Sequence, residues 1–130
     1  MFRGRHLSGQ WYYGNLIRKQ TEYIICDIED GSAEDVEEET VGQFTGLYDK
    51  SGKEVYEGDI LKIFYHGKSK VFGIAKYTDT RFYIDDNWNI DHSSSRPMNE
   101  MFDRYEFEVI GNAYDNPELL KEDEKTMKGK

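Results

Sequence analysis

The residues best able to do chemistry in this chain are one cysteine and three histidines. Cys26 follows an apolar run and precedes Asp27, and nearby acids disfavour the thiolate that a nucleophile needs. His6, His66 and His92 lie far apart in polar contexts, which does not match the ligand spacing of a zinc site. The sequence therefore predicts a structural cysteine, no metal site, and a Cys26→Ser variant that folds and functions as the parent does.

A dense acidic stretch offers the next candidate. Residues 27–39 contain eight acidic residues and no basic one. Gly31 and Glu37 have the spacing of an EF-hand, but Cys26 and Ile28 then stand where side-chain oxygen ligands are needed. Like charges at this density repel one another. The stretch is therefore interpreted as a solvated acidic loop and not as a calcium site.

Nucleotide-binding and catalytic motifs are not found. The chain has no G-x-x-x-x-G-K-[ST] loop and no G-x-G-x-x-G turn. Carboxylates are so abundant that no particular pair indicates an acid and a base. We therefore expect no cofactor and no enzymatic activity, with an enzyme of an unrecognised type as the weakest of three hypotheses.

The most basic stretch is the candidate for a nucleic-acid surface. Residues 66–76 carry three lysines, and aromatic residues alternate with them. Such surfaces hold and stack single strands, although lysines on a hairpin also serve as a solvated edge that discourages strand pairing. The residues of this candidate surface are Lys68, Lys70, Lys76, Tyr65 and Tyr77.

Composition and charge limit the class of protein. The chain has 130 residues, 37% hydrophobic and 15% aromatic, with a formal net charge of −9. This length suits one domain with a modest core. The acidic balance makes nucleic acid a less favoured partner than protein, because phosphate binding needs a basic face. The start of the chain has no apolar run typical of a signal peptide, and no stretch has the roughly 20 apolar residues of a membrane span. The predicted location is the cytoplasm.

The first half of the chain is predicted to contain a hairpin and a block of turns. Residues 1–30 contain two apolar, aromatic-rich runs around Tyr12 and Ile24, separated by the polar residues 18–22, which predicts a β hairpin. Residues 31–39 should form an exposed, mobile acidic loop with weak secondary structure. Residues 40–59 are punctuated by four glycines, and residues 49–52 are typical of a reverse turn.

The second half is predicted to contain short strands. Residues 60–65 and 71–77 should pair as an antiparallel hairpin across residues 66–70. On 71–77, residues 72 and 74 should share one face and residues 71, 75 and 77 the other. Later strands are expected from residue 81 and over 105–110. Pro97 and the pair Asn116-Pro117 are typical of helix starts. Short strands at this spacing indicate a small bent barrel over 60–115, with a short helix and a tail over 116–130.

Three segments carry a resemblance to a known family. Residues 40–60 read TVGQFTGLYDKSGKEVYEGDI, and residues 107–120 read FEVIGNAYDNPELL. Near the start, Phe2-Arg3-Gly4 precedes Trp11-Tyr12-Tyr13-Gly14-Asn15-Leu16. In this order the segments resemble the signature block, the C-terminal block and the N-terminal pattern of the YopX family, which is known from bacteriophages and prophages.

The resemblance implies a fold but no chemistry. It implies a mainly β protein with short helices, an SH3-like barrel in the C-terminal half and a small N-terminal β portion. It implies no catalytic residue, cofactor or substrate. The favoured hypothesis is a non-enzymatic phage or prophage accessory protein that binds a protein partner or assembles with itself. The alternative is single-stranded nucleic-acid binding through the hairpin of residues 68–77.

Overall fold

The computed structural model describes residues 1–78, 81–86 and 97–120. The fold is mainly β, with two antiparallel sheets and short helices. The chain divides into two compact units, Met1–Phe44 and a second that begins at Thr45. The division falls inside the turn-rich block of residues 40–59.

The described residues form ten strands, a 3-10 turn, one α-helix and a further helical turn at residues 118–120. A 3-10 turn spans Glu38–Thr40, and one α-helix, α1, spans Met98–Arg104. The strands are β1 (Phe2–Arg5), β2 (Trp11–Lys19), β3 (Glu22–Cys26), β4 (Ala33–Val36), β5 (Gly42–Tyr48), β6 (Glu54–Tyr56), β7 (Asp59–Tyr65), β8 (Lys68–Thr78), β9 (Arg81–Asp86) and β10 (Glu106–Asn112).

The first unit is a curled antiparallel sheet. Its strand order is β4-β3-β2-β1, with the start of β5 beside β1. The pairing of β2 with β3 confirms the predicted N-terminal hairpin. At the bend of β2, a side chain on Gly14 would overlap the carbonyl oxygen of Cys26, so this close approach requires glycine. The sheet then curls until the Glu37 N–H donates to the Arg5 carbonyl oxygen at 2.8 Å.

The predicted acidic loop is wrong, because residues 33–36 form strand β4. Tyr23 pairs with Val36, and Cys26 pairs with Ala33. Val36 is only 9% exposed and packs against Gly4, so a single apolar side chain anchors the strand while backbone hydrogen bonds form regardless of side-chain charge. The exposed acid Asp35 lies on an edge strand, where charge opposes pairing with another chain.

The second unit contains a hairpin of β5 and β6 and a four-stranded sheet. The sheet order is β10-β7-β8-β9, antiparallel throughout. The predicted pairing of residues 60–65 with 71–77 is confirmed. The turn is tighter than predicted, since Tyr65 pairs with Lys68 and only His66 and Gly67 lie between the strands. Pro97 precedes α1 and confirms the predicted helix start.

A β-bulge in β8 changes which face of the sheet each later side chain of the strand lies on. Lys62 pairs with Val71 and Leu61 pairs with Gly73, so Phe72 is an extra residue that has no paired residue on β7. An extra residue inverts the alternation of side chains beyond it. The predicted faces are therefore wrong: residues 75 and 77 share a face with Lys70 and not with Val71.

The core of the second unit lies on one face of the four-stranded sheet, beneath α1. Phe107 and Leu61 are 1% and 0% exposed. Phe72 contacts the Phe107 ring, with centroids 5.8 Å apart, and Phe102 of α1 stacks on it at 4.7 Å. The buried core residues are Val55, Leu61, Ile63, Ala75, Ile84, Met98, Met101, Phe107 and Val109.

The end of the described chain shows a helical turn at residues 118–120. Asn116 precedes it, as predicted, but its side-chain oxygen accepts a hydrogen bond from the Asn112 N–H at 3.1 Å. His92 and the part of the predicted helix and tail beyond residue 120 lie outside the described residues.

Candidate functional site

A two-residue turn builds the end of the β7–β8 hairpin. His66 has a φ of 50° and Gly67 a φ of 75°. Positive φ at both central residues is the geometry of a type I′ turn, which matches the natural twist of antiparallel strands. The turn places Tyr65 directly opposite Lys68. It therefore fixes the register of the hairpin and the face on which each side chain lies.

Three of the five candidate residues share one face at this end of the hairpin. Tyr65 is opposite Lys68, and Lys70 is opposite Ile63 two residues further along each strand. Opposite residues in an antiparallel pair project to the same side of the sheet. Lys68 and Lys70 are exposed, and Tyr65 is 51% exposed. The structure thus brings together Tyr65, Lys68 and Lys70.

The other two candidate residues do not join them. Lys76 lies opposite Tyr83, on the other face, and donates to Asp85 Oδ2 at 2.6 Å. The hydrogen bond to Asp85 raises the pKa of Lys76, although burial opposes the shift. Tyr77 packs against Phe82 with ring centroids 4.9 Å apart. It lies roughly 20 Å along the strand from Lys70, at about 3.3 Å per residue.

The structure adds residues to this site that no pattern in the sequence indicates. Tyr105 packs against Tyr65 with ring centroids 5.3 Å apart, and His66 packs against Tyr65 at 4.1 Å. Arg104 ends α1 next to Tyr105. These contacts arise because Glu106 of β10 pairs with Phe64 of β7. We define the hairpin tip as Tyr65, His66, Lys68, Lys70, Arg104 and Tyr105.

Two clefts meet at the hairpin tip. The first has a volume of about 420 Å³, and the second a volume of about 530 Å³. Tyr65 and His66 line both, so these two residues form the wall between them. The first is also lined by Ile63, Lys68, Ser69 and Lys70, and the second by Phe64, Gly67, Arg104, Tyr105 and Glu106.

The hairpin tip is basic, although the chain as a whole is acidic. Residues 60–78 contain four lysines and no acidic residue, in a chain of formal net charge −9. Among the described residues that line the two clefts, Glu106 is acidic, whereas Lys68, Lys70 and Arg104 are basic. Half-exposed rings beside cations can hold an anionic ligand that also presents a flat or apolar group.

The other residues considered for chemistry, Cys26 and His6, are each close to a backbone carbonyl oxygen in the structure. The Cys26 thiol is half-buried, 3.8 Å from the Gly31 carbonyl oxygen. His6 Nδ1 is 2.8 Å from the carbonyl oxygen of Asp35, so this nitrogen donates. Within the part of the chain that the structure describes, no three His, Cys, Asp or Glu residues converge to hold a metal ion. None of the helices in that part has the length and hydropathy needed to cross a bilayer.

Two buried carboxylates stabilise the turn-rich block. Asp49 is 7% exposed and accepts hydrogen bonds from the N–H groups of Ser51, Lys53 and Val109 at 2.8, 2.9 and 3.0 Å. Burial alone would raise the pKa of Asp49, but these hydrogen bonds outweigh it and hold the pKa below its usual value. Asp59 Oδ2 accepts from the Tyr56 N–H at 2.7 Å. Both carboxylates have structural partners.

Comparison with known proteins shows a solved structure of similar fold and identifies the family to which the chain belongs. The chain is a mainly β protein of two antiparallel sheets, and a solved structure described as "Crystal structure of protein EF1440 from Enterococcus faecalis" is similar in fold. The likeness has a TM-score of 0.54 and 24% identity, and covers 92% of this chain and 96% of that one. The chain belongs to the YopX family, whose profile, described as "YopX protein", matches residues 3–121. No curated protein matches it.

Proposed function

We propose that this chain is a non-enzymatic accessory protein of a phage or prophage. It works in the cytoplasm by binding a protein partner or by assembling with itself. Family membership supports the phage setting, because the family is known from phages and prophages. The observation that carries the binding role is an exposed apolar row on the first unit.

The apolar row lies along β2. Tyr13, Asn15 and Ile17 are exposed and alternate with residues 12, 14 and 16, which are buried or half-buried; Tyr13 and Ile17 are 44% and 39% exposed. Residues at alternate positions of a strand share one face. Ile24 lies across from Ile17 and is half-buried, which widens the row on to β3. On this face Asn15 lies between Tyr13 and Ile17, so two large exposed side chains flank a polar one. Exposed aromatic and aliphatic side chains with polar neighbours are typical of protein interfaces.

We also propose that the second unit is an SH3-like barrel. Bulges at Phe72 in β8 and at Ile110 in β10 support it, because bulges bend strands and help sheets to curl. The Lys50 N–H donates to the Phe107 carbonyl oxygen at 2.9 Å, which ties the β5–β6 turn to β10. An experimental structure with an open, flat sheet here would contradict the proposal.

Sedimentation velocity and affinity capture test the binding role. Wild-type protein should associate with increasing concentration or capture a specific partner from cells that carry the phage. A Tyr13→Ser/Ile17→Ser double variant should lose this association. Leu7→Ser is the matched control, because Leu7 is 83% exposed on the turn between β1 and β2 and lies outside the apolar row. A monomeric wild type whose captured proteins are unchanged in the double variant would contradict the proposal.

A further inference from the structure

We infer that the hairpin tip binds single-stranded nucleic acid, with a base stacked on Tyr65 and phosphates held by Lys68, Lys70 and Arg104. The inference goes beyond the proposed function, because it concerns different residues, in the second unit and not in the first. It also differs from the surface that the sequence predicts, since Lys76 and Tyr77 are excluded and Arg104, Tyr105 and His66 are included.

The aromatic part of the hairpin tip is both held in place and accessible. The Tyr65 ring has ring contacts to His66 and to Tyr105, with interplanar angles of 70° and 60°, yet it remains 51% exposed. Because these contacts and the type I′ turn fix the ring before binding, little side-chain freedom is lost when a base stacks on it. Base stacking on such rings supplies much of the affinity for single strands.

The cations are placed on both sides of this ring. Lys68 and Lys70 project from the same face of β8, roughly 7 Å apart along the strand. Each nucleotide of an extended single strand advances its phosphate by a similar distance. Arg104 lines the second cleft, across the wall formed by Tyr65 and His66. A strand that crosses the hairpin tip therefore meets cations before and after the aromatic wall.

The combination of rings and cations favours single-stranded nucleic acid over other anionic ligands. An acidic protein segment would use the three cations and gain little from the half-exposed rings. A duplex keeps its bases stacked inside, so it cannot offer one to Tyr65. The net charge of −9 repels the rest of a long strand, which predicts a short footprint and weak binding that depends strongly on salt.

Fluorescence anisotropy with a short labelled oligothymidylate tests the inference. The full chain should bind it at low salt and bind a duplex of equal length less tightly. With three phosphate contacts, the logarithm of the association constant should fall against the logarithm of salt concentration with a slope of about −2, at about −0.7 for each contact. Absence of binding at low salt, or a duplex preferred over the single strand, would overturn the inference.

Variants separate stacking from charge. Tyr65→Ala should weaken binding by about 5- to 150-fold and leave the salt slope unchanged, because only the stacking platform is lost. Lys68→Ala should make the slope shallower by about 0.7. Lys76→Ala and Tyr77→Ala are the matched controls and should keep binding within about twofold of wild type. Circular dichroism should show that all four variants fold.

Two further outcomes decide between partners and between sites. Equal losses from the control and hairpin-tip variants would overturn the inference. So would tighter binding of a poly-glutamate peptide than of the oligonucleotide, since an acidic protein would then be the ligand. The Tyr13→Ser/Ile17→Ser variant should keep full oligonucleotide binding. This result holds whether or not that variant loses protein association, so failure of either proposal can be recognised separately.

Discussion

The N–H of Val109 donates a hydrogen bond of 3.0 Å to the carboxylate of Asp49, sixty positions earlier in the chain. The same carboxylate accepts from Ser51 and Lys53 within its own turn. One buried side chain thus closes the turn between β5 and β6 and fastens it to β10. Both partners lie in segments that resemble blocks of the family, so this hydrogen bond gives both segments a structural role.

Asp49→Asn should lower the free energy of unfolding by about 3 kcal/mol. Hydrogen bonds to a charged carboxylate are stronger than those to a neutral amide, and the NH2 group that replaces one carboxylate oxygen cannot accept a hydrogen bond. Urea denaturation followed by tryptophan fluorescence measures this. Asp103→Asn, at an exposed position of α1, is the control and should change stability by less than about 0.5 kcal/mol. Equal effects at the two positions would contradict the structural role of Asp49.

The stabilisation by Asp49 should depend on pH. Its pKa is held below the usual value of 3.8 in the folded protein, so the unfolded chain takes up the proton first as pH falls. The contribution is therefore complete above the unfolded pKa and is lost as pH falls through the folded pKa. The stability difference between wild type and Asp49→Asn should be largest near neutral pH and shrink under acid conditions. A difference that grows on acidification would contradict this sign.

Phe107→Ala should cost about 3–5 kcal/mol, since Phe107 is 1% exposed and its removal leaves a cavity beneath Phe72 and Phe102. Lys68→Ala should cost less than about 0.5 kcal/mol, because Lys68 is an exposed residue of the hairpin tip. Thermal and urea unfolding of both variants measure the contrast. If Lys68→Ala destabilised as much as Phe107→Ala, the division between core and hairpin tip would be wrong.

His66→Asn should raise stability by roughly 0.5 kcal/mol. His66 has a positive φ in a type I′ turn, and asparagine followed by glycine is the preferred pair in that turn. Gly67→Ala is the opposing variant and should destabilise, because alanine adopts the φ of 75° only with strain. Differential scanning calorimetry of the two variants should show transition temperatures that move in opposite directions.

Local patterns in the sequence were sufficient to predict the two hairpins and the start of α1. Apolar runs separated by short polar stretches indicate hairpins, and Pro97 marks a helix start. Strand β4 could not be predicted in this way, because its pairing with β3 depends on backbone hydrogen bonds and on the single buried side chain of Val36. Charge density indicated exposure there but did not determine conformation.

The candidate site was only partly predictable for a different physical reason. Tyr65, Lys68 and Lys70 are neighbours within one hairpin, so local sequence shows them together. Arg104 and Tyr105 reach the same place through the pairing of β10 with β7, a long-range contact that no local pattern encodes. Lys76 was selected because it is close in sequence to the other two lysines, but the bulge at Phe72 places it on the other face, where it donates to Asp85.

That bulge makes the length of β8, and not only its composition, a determinant of the protein's surface. In a relative with one residue fewer at Phe72, every later side chain of the strand would exchange sides. A lysine aligned with Lys76 would then lie on the face of the hairpin tip, and a tyrosine aligned with Tyr77 would leave it. Alignments of the family should therefore treat a gap at this position as a change of surface, even where every other residue is identical.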